Sequence, residues 1–180
     1  MDGRIFYTGE RLGQHRKPFK IIKFRTMIKG ADKYFPDLLI KYGIRNCCGF
    51  PEDERITRLG KILRKTHLDE LPQFYNIWKG QMSLVGVRPR PSLEWDYYPK
   101  EHVSYVLTQK PGLCGIDYYY TNLRDSQDKI NAHIEYTRQK EIDPISTDKK
   151  YLKGIIKNRI NNIIIKPARD NLIALAQGII

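Results

Sequence analysis

The sequence predicts an α+β fold, a small antiparallel β-hairpin surrounded by amphipathic helices. Three observations carry that expectation. Two β-rich runs, "RIFYT" (4–8) and "FKIIKFRTM" (19–27), flank "GERLGQHRKP", whose composition reads as a turn. Residues 54–65, "ERITRLGKILRK", set Ile56, Leu59, Ile62 and Leu63 at helical spacing, with Arg55, Arg58, Lys61, Arg64 and Lys65 between them. A later run, "MSLVGV", has the length and character of a short buried strand.

The remaining elements follow in chain order. Residues 31–42 read as partly helical, with Pro36 marking a start or a kink. "GIRNCCGFPEDE" reads as a loop. After the basic helix, Leu71, Phe74, Tyr75 and Trp78 form one helical stripe that stops at Lys79-Gly80, where glycine suits a left-handed cap. "LEWDYYPKEHVSYVLTQ" reads as helix and "KPGLCG" as a turn. Residues 117–144 are polar, dotted with aromatics and helical toward their end, and 148–164 are basic and Ile-rich, a terminal helix. The organisation is a core over 1–116 and an extension over 117–180, in the same domain and ending in an amphipathic helix.

A chain of 180 residues with 41% apolar content supports a real core and excludes a disordered polymer. Lys and Arg number 32 against 20 Asp and Glu, a formal charge of +12. That balance calls for an anionic partner: nucleic acid, an acidic membrane surface or phosphorylated small molecules. Cys47, Cys48 and Cys114 show no metal-ligand spacing, so a reducing compartment without structural zinc is expected. The N-terminus has no apolar core of a signal peptide. No apolar run reaches about 18 residues, so no helical span is expected. The tail "INNIIIKPARDNLIALAQGII", broken by Lys166, Pro167, Arg169 and Asp170, suits a surface rather than a crossing.

Asp69 and Glu70 open the apolar stripe. Pro72 lacks an N–H and sits cheaply only in a first helical turn, which argues for a start near Leu68. The alternative is a start at Thr66, with Thr66 and Asp69 as a capping pair and Pro72 as a kink. Either way both acids lie at the positive end of a helix dipole and are expected to stay ionised. First-turn acids are ordinary dipole complements, and that bland reading fits the pair taken alone. Arg64 lies five residues upstream, and Arg88 and Arg90 stand beside prolines downstream. Carboxylates with several arginines suit a metal-bound diphosphate: the metal bridges acid to phosphate and the arginines neutralise the rest.

Three stretches, "KPFKIIKFRTM" (17–27), "RLGKILRKTHLDELPQFYNIWKGQMSLVGVRPRP" (58–91) and "KPGLCGI" (110–116), resemble the bacterial sugar transferase family, the monotopic polyprenyl-phosphate phosphoglycosyl transferases. The resemblance covers about residues 1–116. It implies a monotopic phosphoglycosyl transferase-like fold and a reaction that begins exopolysaccharide, O-antigen or glycoprotein glycan assembly. An Asp attacks the β-phosphate of a UDP-sugar, expels UMP and forms a covalent phosphosugar–aspartate; polyprenyl phosphate then takes the phosphosugar. By position the resemblance assigns the nucleophile to Asp69. Glu70 helps hold Mg²⁺, with Asp69 as the second acid. The family's upstream arginine falls on Arg64, and its Gly-x-Arg-Pro segment on Gly86, Arg88 and Pro89.

The resemblance also implies work at the cytoplasmic face of the bacterial plasma membrane. Family members carry a hydrophobic re-entrant helix before the first strand, whereas this sequence starts at that strand with Met1-Asp2-Gly3, so peripheral attachment to an anionic membrane surface is expected. Val87 stands where the family often has Pro, and Ile116 where an aromatic is usual. Lys23, Arg25 and Arg90 join the expected substrate-binding set. Lys23 and Arg25 alternate with Ile22 and Phe24, and a phosphate-facing, headgroup-facing or solvated strand face fits them equally. His67 could help position phosphate, though a surface histidine is the plainer reading; Tyr118, Tyr119 and Tyr120 could stack on uracil, though packing is the plainer role; Trp78 and Trp95 read as core or interface anchors. The rival readings are a basic nucleic-acid- or membrane-binding module and a truncated, inactive relative. No helix-turn-helix, RNP or zinc pattern supports a nucleic-acid partner, and none is expected.

Overall fold

The computed structural model describes residues 5–34, 37, 53–120, 123 and 126–161. Mixed helices and two small sheets make an α+β architecture. The readings of 35–52, with Cys47 and Cys48, and of the tail after residue 161 lie outside the described residues, apart from Asp37.

Strands β1 (Phe6–Leu12) and β2 (Pro18–Phe24) pair antiparallel, from Phe6 opposite Phe24 to Leu12 opposite Pro18. Gly9, Glu10 and Arg11, read as turn, are strand, and the turn is confined to Gly13–Lys17, where His15 takes a left-handed φ of 55°. Backbone pairing overrode composition here, because one face of β2 is anchored by buried Phe19 and Ile21 against Met82.

Helix α1 spans Arg58–Thr66 and begins four residues later than its periodicity suggests. Asp53 and Arg55 bind each other in a turn, Ile56 bridges Met27, and Thr57 caps the helix by accepting from Gly60 N at 2.9 Å. Gly60 matters for approach: a Cβ there would collide with the Thr26 carbonyl. α1 therefore lies directly on the chain leaving β2. It ends at His67, a left-handed residue with φ 58° that starts a 3-10 helix, Leu68–Gln73, followed by α2, Phe74–Trp78.

Strand β3 (Ser83–Gly86) pairs in parallel with β4 (Gly112–Gly115). Four of the six residues of the "KPGLCG" segment are thus strand, not turn. Gly86 and Gly112 meet backbone to backbone, at a separation no Cβ on either would allow. Between the strands the expected single helix is two, α3 (Ser92–Trp95) and α4 (Lys100–Val106), separated at Pro99. The chain then forms α5 (Ser126–Ile142) and α6 (Pro144–Ile160), the latter capped by Asp143 accepting from Ser146 N at 3.0 Å.

The main core joins β3, α4, α5 and α6 through Val85, Val103, Val106, Ile116, Tyr136, Tyr151 and Ile155. Residues on both sides of 116 share it. Trp95 is a core residue. Beside it lies a buried polar cluster: Arg90 binds Glu94 and Asp117 (3.0 Å), and Asp117 binds His133 (2.8 Å). His102 stacks on His133 at 5.5 Å, and neither of its ring nitrogens has a partner among the described residues.

Burial first, then the charges of His133 and Arg90, push the His102 imidazole down to about 4. The folded chain takes up this proton far less readily than the unfolded chain, which binds it near 6.5. Stability from this group is therefore complete above about pH 6.5 and drains as the pH falls toward about 4. At about 1.4 kcal/mol per pKa unit the full loss is about 3 kcal/mol. Urea unfolding followed from about pH 7 to about pH 4 is expected to lose that much, and His102→Leu to flatten the slope. An unchanged slope in the variant assigns the loss to other groups.

Candidate active site

Four separate stretches meet around Asp69 and Glu70. The first lock is Asn76 in α2, 1% exposed: its amide donates to Lys20 O (2.8 Å) and accepts from Ile22 N (3.2 Å). Those two bonds fasten the acid-bearing segment onto β2. Lys23, next on that strand, then reaches Glu70 Oε1 at 3.3 Å. The close seat of Gly60 brings Arg64 over the exit of β2, where its Nε donates to Thr26 Oγ1 at 2.8 Å. The chain leaving β3 supplies Arg88, whose Nη2 donates to the same Glu70 Oε1, while Nη1 reaches the Tyr118 hydroxyl at 3.4 Å.

The acids sit in the 3-10 helix, both buried. Pro72 falls inside this helix, ahead of α2. The start near Leu68 holds and the Thr66 capping pair does not: Thr66 Oγ1 donates back to Ile62 and Leu63 carbonyls and closes α1 instead.

The two carboxyls differ electrostatically. Burial raises Glu70, but Arg88 and Lys23, through charge and hydrogen bonds, outweigh it and hold the carboxyl at about 2. Asp69 is raised above its ordinary value, by burial first and also by the neighbouring Glu70 charge, against the pull of Lys23 and Arg64. Its Oδ1 is buried without a hydrogen-bond partner among the described residues. Lys23 is itself lowered to about 8, by burial and by Arg88, against the attraction of both acids. One acid is thus neutralised by fixed cations, and the other keeps an uncommitted oxygen in a cationic setting. An oxygen in that state can attack an electrophile or bind a hard cation.

These groups open into a cavity of about 580 Å³ lined by Lys23, Arg64, His67, Asp69, Glu70 and Arg88, among others. That volume suits a ligand of nucleotide size. Among the described residues no group of three or more His, Cys, Asp and Glu is arranged to hold a metal ion. A Mg²⁺ ion still fits, because it commonly takes one or two carboxylates and completes its shell with phosphate and water. Asp69 Oδ1 and Glu70 Oε2, which carries no hydrogen bond among the described residues, are the available oxygens.

The family profile for "Bacterial sugar transferase" matches residues 1–154. The chain belongs to the bacterial sugar transferase family. This match runs past residue 116, where the motif resemblance ended. Among sugar transferases it is 35% identical over 143 residues to the galactosyl transferase CpsE of Streptococcus agalactiae serotype III (strain NEM316), covering 76% of this chain and 31% of that protein. It is 40% identical over 119 residues to the undecaprenyl-phosphate galactose phosphotransferase of Salmonella typhimurium, 63% of this chain and 25% of that protein. Against the exopolysaccharide production protein ExoY of Sinorhizobium fredii the figures are 37%, 63% and 52%. The chain therefore spans between a quarter and about half the length of these sugar transferases.

Of the expected site residues, the structure brings together Asp69, Glu70, Arg64, Arg88 and Lys23. Pro89, Arg25 and Arg90 also line the cavity. Arg90 is built into the wall, 2% exposed and bound to Glu94 and Asp117. Arg25 Nη2 reaches the Phe6 carbonyl at 3.5 Å. Sequence reasoning missed three participants. His67 was read as a surface residue and is half-buried beside the acids; Tyr118 was read as packing and touches Arg88; Asn76 was not singled out at all. Asn76 lies off the exposed stripe of Leu71, Phe74, Tyr75 and Trp78, on the buried side of the segment, where no pattern marks it.

Proposed function

We propose that this chain carries the catalytic unit of a phosphoglycosyl transferase, which moves a phosphosugar from a UDP-sugar to polyprenyl phosphate through a covalent Asp69 intermediate. The observation that carries the reading is the divided acid pair: Glu70 is held ionised by Arg88 and Lys23, and Asp69 Oδ1 is buried and unengaged. Support comes from relatives named for this chemistry, including the undecaprenyl-phosphate galactose phosphotransferase and a UDP-glucose:undecaprenyl-phosphate glucose-1-phosphate transferase of Klebsiella pneumoniae, 35% identical over 140 residues.

In the first step an Asp69 carboxylate oxygen bonds to the β-phosphorus. The bond to the oxygen bridging to the α-phosphate breaks, and its electron pair leaves with UMP. In the second step a phosphate oxygen of the polyprenyl phosphate bonds to the same phosphorus, and the Asp69 carboxylate departs as an acyl-phosphate leaving group. Both nucleophiles are anions, so no general base is required. Arg64, Arg88 and Lys23 hold the phosphoryl oxygens, and fixed cations in a partly buried site act more strongly there than in water. Bound through Asp69 and Glu70, Mg²⁺ would supply further charge neutralisation on the diphosphate. Incubation with candidate UDP-sugars and Mg²⁺, without lipid, tests the reading. The expected result is release of UMP and a mass increase of one phosphosugar per chain; UMP release without the adduct rejects the covalent route.

The acceptor stays in a membrane, so the site must dock on one, at the cytoplasmic face in this reading. Among the described residues no helix is long and apolar enough to cross a bilayer. The apolar side of α1 and the segment after it face outward: Ile62 is 61% exposed and Trp78 80%, with Leu59, Leu68, Leu71 and Phe74 also exposed. Arg58, Lys61, Lys65 and Lys79 stand exposed among them. Apolar side chains beside basic ones suit adsorption to anionic lipid, where each basic residue near the surface adds about 1 kcal/mol. Cosedimentation is expected to show binding to anionic vesicles at low salt, release at high salt and none to neutral vesicles. The double change Ile62→Ser and Trp78→Ser is expected to weaken binding tenfold or more, since each buried apolar side chain contributes about 1.5–3 kcal/mol. Binding indifferent to both salt and these changes rules this surface out.

A further inference from the structure

We propose that Arg159, in the last turn of α6, is a positioning residue of the acidic site: it clamps His67, which leads into the acids, and Tyr118, which touches Arg88. The inference rests on the reading above and extends it to residues beyond 154, where the family match ends.

The argument begins with the helix. Thr147, Tyr151 and Ile155 are buried at four-residue spacing, and Tyr151 and Ile155 belong to the main core. That face continues at 158 and 159. The apolar stripe becomes polar there, and both polar residues are used. Asn158 Nδ2 donates to the carbonyls of Tyr118 (3.2 Å) and Tyr119 (2.6 Å). The ring of Tyr119 lies against Gly154, in space a Cβ would occupy. These contacts set the Tyr118 backbone on α6.

Arg159 sets the side chains. Its Cζ lies 3.8 Å from the centre of the Tyr118 ring, a stacking distance for a guanidinium. Its Nη1 donates to His67 Nε2. Arginine can only donate, so Nε2 is the acceptor and the His67 proton resides on Nδ1. His67 precedes the 3-10 helix, and its carbonyl accepts from Glu70 N at 3.1 Å. Tyr118 contacts Arg88, which binds Glu70. Two routes thus run from one guanidinium to the acid pair, one through backbone and one through side chains. Among the described residues Arg159 forms no ion pair with a carboxylate, so acid pairing does not account for its place.

The test uses the full chain and two readouts. Nitrogen–proton correlation NMR reads the His67 tautomer without turnover. The wild type is expected to show the Nδ1–H form, and Arg159→Met to lose that preference. Kinetics read the consequence: Arg159→Met is expected to lower kcat about 10–100-fold, as displacement of a reacting group does, with the donor KM changed less than about threefold. Arg159→Lys keeps the charge without the planar fork and is expected to recover little. Lys157→Gln, a charge loss at an exposed neighbouring position, is expected to leave kcat unchanged. If Arg159→Met loses its fold, Arg159→Lys reads the same two signals. A wild-type tautomer that Arg159→Met preserves, or a kcat it leaves intact, overturns the clamp. If the tautomer responds as expected and the wild type transfers no phosphosugar, the clamp stands and the catalytic reading fails.

Discussion

Asp69→Asn is expected to abolish both the covalent adduct and phosphosugar transfer, a loss on the order of 10⁴-fold or more, as for removal of a nucleophile from a catalytic unit. The change is nearly isosteric and replaces an uncommitted buried oxygen by an amide, which neither attacks phosphorus nor leaves from it. The fold is expected to survive, because Asp69 Oδ1 makes no hydrogen bond for the substitution to break. Intact-protein mass spectrometry after incubation with UDP-sugar and Mg²⁺ reads the adduct, and UMP release reads the first step. An adduct that persists in the folded variant moves the nucleophile elsewhere.

Arg88→Ala is expected to reduce turnover by about 10²–10³-fold, the range for removing one fixed donor from developing phosphoryl charge. The substitution also strips Glu70 of its strongest cationic neighbour and takes away the contact with Tyr118. Glu70 keeps Lys23, so the acid pair is not left without a cation. Lysine at position 88 restores charge but not the fork that reaches Glu70 and Tyr118 together, and is expected to recover only part of the loss. Steady-state UMP release from the variants, with matched circular dichroism, checks this. Activity within about threefold of wild type for Arg88→Ala would remove Arg88 from the machinery.

The hairpin and the acid pair were legible because each is written locally. Alternation marks β2, and Asp69, Glu70 and Pro72 stand within four positions. The companions of the acids were legible only where a motif carried them, as with Arg64 and Arg88. Lys23 was ambiguous, because its strand face looks the same whether it meets solvent or Glu70. Strand β4 was hidden because Gly112 and Gly115 look like turn residues; the reason for Gly112 is its close backbone approach to Gly86, which no local pattern records. Helix α5 was faint for another reason. Its buried side includes His133 and Lys140, bonded to Asp117 and to the Val85 carbonyl, and Thr137, bonded to the His133 carbonyl within the helix, so hydropathy does not mark the face. The outward turn of Leu59 and Ile62 was equally unreadable, since periodicity shows that a helix has an apolar side but not what that side meets.

The bond between His67 and Arg159 joins residues 92 positions apart. A ribosome adding about 5–20 residues per second delivers the second partner roughly 5–20 s after the first. Once residue 88 has been added, the acids, Lys23, Arg64 and Arg88 are all on the nascent chain, while the last turn of α6 has yet to be made. Under the clamp proposed above, the brace at residue 159 follows the outward-facing apolar and basic stretch of residues 58–79 in order of synthesis. In that reading the surface-facing stretch is made before the residue that braces Asp69 and Glu70, so the order of translation separates adsorption from catalysis.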